Sequence, residues 1–373
     1  MKTKLVTINP DKIGTAVIEQ AAKVIDEGGL VGFPTETVYG IACRVQTDSL
    51  KKLSELKGRS PDKYYTLHVA APAEVEKFVP SMSMRARKLV ENAWPGPLTI
   101  VFELPDKDLK QLKKNLRKDV FDNLYKDNSI GIRCPDNPVA SALLETTLNP
   151  VVAPSANVAG KQPPVEANQA LKHLDGKIDM LLDAGPCKYK KPSSVVKIGK
   201  QGLEILRQGA LPKDQIEQLS QVHILFVCTG NSCRSPMAEA MFKKYLAEKL
   251  DCEVDELPER GYKVSSAGTI GLTGMPATTE AIRACEAKGI DITNHRSTGL
   301  STYLLEESDL VFAFAQMHQR AVCDLSSKAA QKCILLAGDT DITDPIGQSQ
   351  QVYDNCAELI DNAVKKSIGE LSI

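Results

Sequence analysis

The stretch "HILFVCTGNSCRSPMAEAMF", residues 223–242, decides the fold of the second half of the chain. An apolar run ends at Cys228, a short polar loop follows, and Pro236 opens a segment with the pattern of a helix. Proline is favoured at the first position of a helix and serine just before it, so Ser235 is predicted as the N-cap. The stretch therefore predicts a strand, a loop and a helix, with Cys228 at the carboxyl end of the strand.

Strands and helices alternate regularly around this stretch. Predicted strands at 223–228, 263–268, 310–314 and 333–338 are each followed by a predicted helix, at 236–250, 277–288, 318–325 and 350–366. This alternation predicts an open, mostly parallel sheet with helices on both faces. A polar segment precedes it, so we predict domains at 1–211 and 222–373, joined by a linker at 212–221.

The loop that follows Cys228 lies where sheets of this kind bind ligands, at the carboxyl end of a strand. Its backbone N–H groups and the positive end of the next helix would surround a phosphate group. The guanidinium of Arg234 can bind two phosphate oxygens. The same positive field is expected to lower the pKa of the Cys228 thiol and to make it a nucleophilic thiolate. The predicted phosphate-binding loop consists of Thr229, Gly230, Asn231, Ser232, Cys233 and Ser235.

The second half resembles the low-molecular-weight phosphotyrosine phosphatase family over about 222–366. The motifs that carry the resemblance are "VCTGNSCRSPMAE", "SSAGT", "GMPAT", "KGIDITNHRST", "DLVFAF" and "DITDPIG". The resemblance implies that Cys228 is the nucleophile, which forms a phosphocysteine intermediate, and that Arg234 binds the phosphoryl group. It also implies that Asp344 protonates the leaving group and later activates water.

The same resemblance gives roles to other loop residues. Ser235 would hydrogen-bond the thiolate, and Asn231 would hold the loop in shape. Cys233 matches a position that in relatives can form a disulfide with the nucleophile, although a small residue filling the loop is an equally good interpretation. Thr229 stands where tyrosine-directed relatives usually have a larger aliphatic residue and protein-arginine phosphatases have threonine. A phosphoprotein carrying phosphoarginine is therefore the expected substrate, with phosphotyrosine as the alternative.

An arsenate reductase is the rival function on this fold, because thioredoxin-linked members share the motif "CTGNSCRS". They need two further cysteines close together to relay a disulfide. Here Cys323 and Cys333 are ten residues apart, with a predicted helix end and strand start between them. We therefore expect both to be structural.

The first half mixes helical and strand patterns and is predicted to be an α/β domain with a twisted, mixed sheet. Three polar clusters, "PTET" (34–37), "KGRS" (57–60) and "PSAN" (154–157), each lie beside a predicted strand end or helix end. They could converge on one cleft that binds a polyphosphate and an amino acid or ribose. On the residues alone, surface cations and ordinary turns are the simpler interpretation.

Most of 10–211 resembles the YrdC-like threonylcarbamoyl-AMP synthase family. The motifs are "GGLVGFPTETVYGIACRV", "ELKGRSPDKYYTLHVA", "AWPGPLTIVF", "IGIRCPDNPVASALL", "VVAPSANVAGKQPP" and "LRQGAL". The resemblance implies that L-threonine, bicarbonate and ATP combine to form threonylcarbamoyl-adenylate and pyrophosphate, with Mg²⁺ accompanying the ATP. Partner proteins would then transfer the group to tRNA.

The resemblance also places eight side chains in the synthase site. Those that bind the nucleotide and the intermediate are Lys57, Arg59, Ser155 and Asn157. Those that contact threonine are Thr35 and His68, and further ATP contacts are Ser194 and Arg207. A lone histidine such as His68 can equally be a satisfied core residue. The chain departs from the family at Lys63, Tyr64 and Tyr65, where Asn-Pro-Leu is common.

The composition of the 373-residue chain, 42% hydrophobic and 25% charged, is that of a globular protein with two domains. The net charge of -1 predicts no global attraction to nucleic acid or to a membrane. No apolar run has the length of a signal core or a membrane span, so we expect a cytoplasmic protein. The cysteines and histidines show no paired spacing, and no metal site is predicted.

A lysine-rich segment at 107–118 leaves an RNA-binding module without synthase activity as an alternative, although its interleaved aspartates favour a solvated helix.

Overall fold

The computed structural model describes residues 2–58, 65–199 and 202–372. The chain forms two compact units, Met1–Ser220 and Gln221–Ile373. Among the described residues, no helix is long and apolar enough to cross a membrane.

The first unit is built on a mixed sheet to which ten strands of the described chain contribute. The strands are β1 (Lys4–Thr7), β2 (Val31–Phe33), β3 (Gly40–Arg44), β4 (Leu67–His68), β5 (Leu98–Glu103), β6 (Ser129–Arg133), β7 (Val151–Val152), β8 (Met180–Asp183), β9 (Ser194–Gly199) and β10 (Gly202–Arg207). Their order across the sheet is β1-β8-β2-β3-β7-β4-β6-β5-β9-β10. The sheet contains both parallel pairs, such as β5 with β9, and antiparallel pairs, such as β5 with β6, which confirms the predicted mixed sheet.

Helices and a short 3-10 turn at Pro72–Lys77 cover this sheet. The helices are α1 (Thr15–Asp26), α2 (Thr47–Lys57), α3 (Met84–Ala93), α4 (Asp106–Asn115), α5 (Lys118–Leu124), α6 (Pro138–Thr146), α7 (Ala167–Leu174) and α8 (Lys213–Ser220). Their ends follow local chemistry. The Ser83 hydroxyl accepts the N–H of Ala86 at the start of α3, and Gly58 ends α2 in the left-handed region at φ 58°.

Helix α8 corrects the predicted linker at 212–221. Its Ile216 is fully buried in the main core of the first unit, and α8 packs against α3. The segment before α8 is also bound to the first unit, because the Ser194 hydroxyl donates a hydrogen bond to the carbonyl of Leu211 at 2.6 Å. Polar residues on the outer face of this short helix made the segment resemble a linker. The boundary between the units lies after Ser220.

The second unit contains a parallel sheet of four strands in the described chain, in the order β12-β11-β13-β14. The strands are β11 (Val222–Cys228), β12 (Tyr262–Gly268), β13 (Leu310–Ala313) and β14 (Cys333–Leu335). The helices are α9 (Arg234–Leu250), α10 (Thr279–Glu286), α11 (Thr302–Glu307), α12 (Gln316–Leu325), α13 (Ser327–Ala330) and α14 (Gln350–Glu370), with a 3-10 turn at Val254–Glu256. This arrangement confirms the predicted parallel sheet flanked by helices.

Strand β11, which ends at Cys228, is buried in the core of the second unit. All seven residues of β11 are buried, and the rings of Phe226 and Phe312 stack with centroids 5.2 Å apart. Helix α9 begins at Arg234, two residues earlier than the first helical position predicted, with Cys233 as the N-cap. The reason is that the Ser235 hydroxyl is directed to Cys228 rather than to the helix N–H groups.

Candidate active sites

Cys228 lies at the carboxyl end of β11 and is 2% exposed. Its Sγ is 3.0 Å from the Ser235 hydroxyl and accepts the backbone N–H of Asn231 at 3.3 Å. The Asn231 side-chain amide donates to the Ser235 oxygen at 2.8 Å, which leaves the Ser235 proton available for the sulfur. The loop thus directs two hydrogen-bond donors at the sulfur.

The sequence predicted a lowered pKa for the Cys228 thiol, but its environment raises the pKa. Burial raises the pKa of the thiol, while hydrogen bonds from Ser235 and Asn231 and the charge of Arg234 act in the lowering direction. Burial prevails because the sulfur is almost completely removed from water. The sequence motif indicated the cations and N–H groups but not the degree of burial.

Asn231 is the residue that ties the loop to its surroundings. Its backbone is in the left-handed region at φ 53°, a conformation that asparagine tolerates better than most residues. Its amide nitrogen also donates to Ser266 at 2.7 Å, its side-chain oxygen accepts the N–H of Thr298 at 2.7 Å, and its carbonyl oxygen lies 2.8 Å from His295 Nε2. Neither Ser266 nor His295 was among the predicted site residues.

Gly268, the last residue of β12, has no side chain, so the backbone of the phosphate-binding loop can pack directly against it. A Cβ atom at this position would lie 2.8 Å from the Thr229 carbonyl oxygen and 3.0 Å from the backbone nitrogen of Asn231. Thr278 N–H donates to the carbonyl of Ser232, so the loop is held on this side as well. Gly230 and Ser232 are half-buried in the wall of the loop.

Arg234 and Asp344 are in direct contact. The Arg234 guanidinium donates to the Ile342 carbonyl at 3.0 Å, to the Thr229 hydroxyl at 3.1 Å and to Asp344. The Arg234 side chain is 4% exposed and that of Asp344 is 34% exposed. The structure therefore brings the predicted phosphate ligand, the predicted acid and the predicted nucleophile to one end of the sheet.

Cys233 lies in the loop without a disulfide, as a free thiol. Its Sγ is 3.3 Å from the Tyr353 hydroxyl and 3.6 Å from that of Thr278. These contacts fill the space behind the loop, in keeping with the interpretation of Cys233 as a packing residue. Oxidation of Cys233 with the nucleophile stays a prediction.

The sheet register separates Cys333 from the nucleophile. Cys333 pairs with Val311, which pairs with Leu225, so it is level with a residue three positions before Cys228. Standard strand spacings place the two cysteines roughly 14 Å apart. A disulfide requires Cα atoms within about 7 Å, so a direct disulfide between Cys228 and Cys333 does not fit this arrangement.

In the first unit, Lys57 joins the clusters at 57–60 and 154–157. This side chain is 5% exposed, and its ammonium donates to the carbonyls of Ser155 and Asn157, each at 2.5 Å. The Ser155 hydroxyl in turn donates to the Asn157 side-chain oxygen at 2.5 Å. Three of the four predicted nucleotide-binding residues are therefore in contact. The fourth, Arg59, lies outside the described residues, as do Lys63 and Tyr64.

A second cluster surrounds Thr35. Its buried hydroxyl donates to the Val38 carbonyl at 2.7 Å and lies 3.4 Å from an Arg133 nitrogen. Arg133 donates to Glu36 at 2.8 Å and to the Thr37 hydroxyl at 2.6 Å, in an ion pair that is almost fully buried. Arg133 was missed in the sequence, where an arginine at the end of "IGIR" looks like an ordinary surface cation.

His68 pairs with Arg133 across the β4–β6 register. Burial, and to a smaller extent the charge of Arg133, lowers the pKa of His68 to about 3. Its Nδ1 lies 3.1 Å from the Thr66 carbonyl oxygen. The imidazole is therefore neutral at physiological pH, beside the Thr35 cluster.

The neighbouring residues Ser193 and Ser194 have different hydrogen-bond partners. The Ser194 hydroxyl is fully buried and, in the part of the chain that the structure describes, bonds only within the segment that precedes α8. Ser193, in contrast, contacts the Thr99 hydroxyl at 3.0 Å and the guanidinium of Arg207 at 3.3 Å. Ser193 rather than Ser194 thus contacts Arg207 through its side chain, and an ATP contact of Ser194 stays a prediction.

Comparison with known proteins agrees with this division. A family model described as "Telomere recombination" matches residues 23–209, and one described as "Low molecular weight phosphotyrosine protein phosphatase" matches residues 223–372. The chain is 34% identical over 230 residues to threonylcarbamoyl-AMP synthase of Bacillus subtilis, covering 60% of this chain and 63% of that protein. It is 31% identical over 243 residues to the Pyrococcus abyssi enzyme of the same name, covering 65% of this chain and 68% of that protein.

A solved structure of a P. abyssi protein complexed with L-threonine has a similar fold. It aligns with a TM-score of 0.52 at 22% identity, over 71% of this chain and 92% of that one. The sheets and the two sites thus define a protein of two α/β units. The chain belongs to the YrdC-like threonylcarbamoyl-AMP synthase family through its first unit, and its second unit is a low-molecular-weight phosphatase domain.

Proposed function

We propose that the first unit synthesises threonylcarbamoyl-adenylate from L-threonine, bicarbonate and ATP, with release of pyrophosphate. Relatives named threonylcarbamoyl-AMP synthase and the L-threonine complex of a protein with this fold support the proposal. The chain spans 63% of the length of the B. subtilis relative, so the activity is proposed for the shared part.

The observation that carries this proposal is a pair of cations, Arg133 beside Thr35 and Arg207 beside Ser193, which are near enough for the charge of Arg133 to affect Arg207. Desolvation, and then the charge of Arg133, lowers the pKa of Arg207, although the Arg207 side chain as a whole is exposed at the surface. Glu36 neutralises one of the two charges. An anionic ligand would relieve the remaining repulsion, and both the threonine carboxylate and the ATP phosphates are such ligands.

Mg²⁺ would enter this site with the nucleotide. Among the described residues, no group of three or more metal-ligating side chains is present, and the carboxylate of Glu36 is already bonded to Arg133. Mg²⁺ is usually held by substrate phosphates with few protein ligands, so the residues fit an ion carried by ATP. It would supply charge neutralisation as pyrophosphate leaves.

The product of the first unit would serve tRNA modification. A mixed carbamoyl-adenylate is an activated and short-lived acyl donor, so partner proteins that transfer the group to tRNA would consume it. The absence of a global positive charge favours transfer by such partners over tight tRNA binding by this chain.

For the second unit, we propose hydrolysis of phosphoproteins through a phosphocysteine. The Cys228 thiolate attacks phosphorus, and the bond to the leaving group breaks as Asp344 gives that group a proton. Water then attacks the phosphocysteine and passes a proton to Asp344, which releases phosphate and restores the thiolate. Arg234 and the loop N–H groups bind the phosphoryl oxygens during both steps. The contact of Cys228 with Ser235, beside the Arg234–Asp344 pair, carries this proposal.

We further propose phosphoarginine as the substrate class. Thr229 leaves room at phosphorus, and Asp344 can pair with the guanidino group as well as protonate its nitrogen as the bond to phosphorus breaks. Ile346 is 54% exposed beside Asp344 and offers no aromatic ring on which a phosphotyrosine could stack.

Two assays test the pair of activities on the full chain. Pyrophosphate release from ATP is expected only when L-threonine and bicarbonate are both present. Its complete absence, together with RNA binding that weakens steeply with salt, would replace the synthase by an RNA-binding module. Phosphate release from an aryl phosphate is expected in the wild type and not in Cys228→Ser, and a serine variant of full activity would mean that another residue is the nucleophile.

A further inference from the structure

His318, on α12, contacts the phosphate-binding loop through Thr229. The His318 side chain is completely buried, and its Nε2 lies 2.9 Å from the Thr229 hydroxyl oxygen. The same hydroxyl oxygen receives an N–H from Arg234 at 3.1 Å. Because a guanidinium can only donate, the Thr229 oxygen is certainly an acceptor toward Arg234.

The position of the imidazole proton then fixes the direction of the threonine proton. The charges near His318 are those of Arg234, Asp344 and Asp341, and burial is the largest of the influences that lower its pKa to about 4. The ring is therefore neutral at physiological pH and has a single N–H. The other ring nitrogen, Nδ1, is buried and has no hydrogen-bond partner within the described chain.

A proton on Nδ1 would be a buried donor without an acceptor, whereas a proton on Nε2 is donated to Thr229. Orphaned buried N–H groups are rarer in proteins than orphaned acceptors. The tautomer with the proton on Nε2 is thus the stable one. In that state the Thr229 oxygen accepts two N–H groups, and its own proton has to point elsewhere.

Within the described residues, the Thr229 hydroxyl has no hydrogen-bond partners besides His318 and Arg234. We propose that His318 is a positioning residue that turns the Thr229 hydroxyl into a hydrogen-bond donor for an oxygen of the bound phosphoryl group. The inference rests on the proposed phosphoryl chemistry but not on the choice between phosphoarginine and phosphotyrosine. It gives Thr229 a role in binding the pentacoordinate state, in addition to its effect on the room at phosphorus.

The test is a double-mutant cycle on the full chain with two readouts, kcat on p-nitrophenyl phosphate and the dissociation constant of orthovanadate measured by calorimetry. His318→Leu removes the N–H and should lower kcat about tenfold and weaken vanadate binding about tenfold, with a smaller effect on KM. Thr229→Val should have similar effects. Adding His318→Leu to Thr229→Val should change either readout less than twofold, because the donor is already absent.

His318→Gln supplies the rescue control, since its amide can still donate to Thr229 and should restore most of kcat and vanadate affinity. The proposal is wrong if the effects of His318→Leu and Thr229→Val multiply independently. It is also wrong if His318→Gln loses as much kcat and vanadate affinity as His318→Leu. If the wild type hydrolyses no aryl phosphate, the phosphatase proposal fails. The cycle measured with vanadate binding alone then still decides whether the hydrogen bond exists.

Discussion

Arg234 and Asp344 form an ion pair across the mouth of the phosphate-binding loop, with the arginine almost fully buried and the aspartate about one-third exposed. A substrate phosphate would therefore share the guanidinium with Asp344. The acid of the proposed reaction is held close to the phosphate site by the residue that binds the phosphate.

Asp344→Asn tests the role of Asp344 as the acid separately from its role as the ion-pair partner of Arg234. The substitution removes the proton donor and should lower kcat on phenyl phosphate by roughly 10²–10⁴-fold. The loss on p-nitrophenyl phosphate should be smaller, because that leaving group departs without protonation. Inorganic phosphate should inhibit the variant at least as well as the wild type, since Arg234 no longer has a competing carboxylate. An equal loss on both substrates would exclude Asp344 as the acid.

Ser235→Ala should raise the pKa of the Cys228 thiol further. The serine hydroxyl stabilises the thiolate, and its removal leaves the effect of burial less opposed. The rate of iodoacetamide alkylation as a function of pH should show its midpoint at a higher pH in the variant. Ser232→Ala is the matched control, because Ser232 contacts Cys233 Sγ rather than the nucleophile. Identical midpoints in Ser235→Ala and the wild type would contradict the assignment.

Thr229→Ile tests the substrate class. We expect the wild type to prefer a phosphoarginine peptide over a matched phosphotyrosine peptide by about tenfold in kcat/KM, or ~1.4 kcal/mol in transition-state binding. Isoleucine should reduce that ratio because it crowds the phosphorus and removes the hydroxyl. A wild type that prefers phosphotyrosine, or a ratio that the substitution leaves unchanged, would defeat the assignment.

Lys57→Ala should lower threonine-dependent pyrophosphate release at least about 10²-fold, the usual effect of losing one preorganised donor. Lys57 lies between the carbonyls of Ser155 and Asn157, so its loss also frees that turn. Lys51→Ala, at an exposed position of the same helix, should keep full activity. Wild-type turnover in Lys57→Ala would remove this lysine from the site.

His68 should make the first unit less stable in acid. In the unfolded chain it binds a proton near pH 6.5, whereas in the folded unit it does so only near pH 3, so falling pH between these values favours unfolding. Its contribution to the free energy of unfolding should fall by about 2 kcal/mol from pH 6.5 to pH 5.

Urea unfolding can be followed by the fluorescence of Trp94, the single tryptophan of the chain, which is buried in the first unit. His68→Gln should flatten this part of the pH dependence, and His173→Gln, at an exposed position, should not. The same pH dependence in His68→Gln and the wild type would show that His68 is not the group responsible.

Local patterns predicted most elements but not the full environment of the sites. The strand predicted at 223–228 is observed over Val222–Cys228, because an apolar run of this length can be recognised within a few residues. The short strand β3 was not predicted, since "GIACR" is fully apolar until its last residue and lacks alternation. Arg133 and His318 were missed as site residues because their burial and their partners, 96 to 98 and 89 positions away, arise only from tertiary packing.

Helix α8 has a practical consequence for dividing the protein. A first half that ends at residue 211 would lack Ile216, so the core surface that this side chain covers would be open to water. A first half that ends at Ser220 keeps the whole helix together with the hydrogen bond from Asn92 to the Leu219 carbonyl. Cleavage after Ser220 should therefore yield a soluble synthase fragment, whereas a fragment that stops nine residues earlier should aggregate.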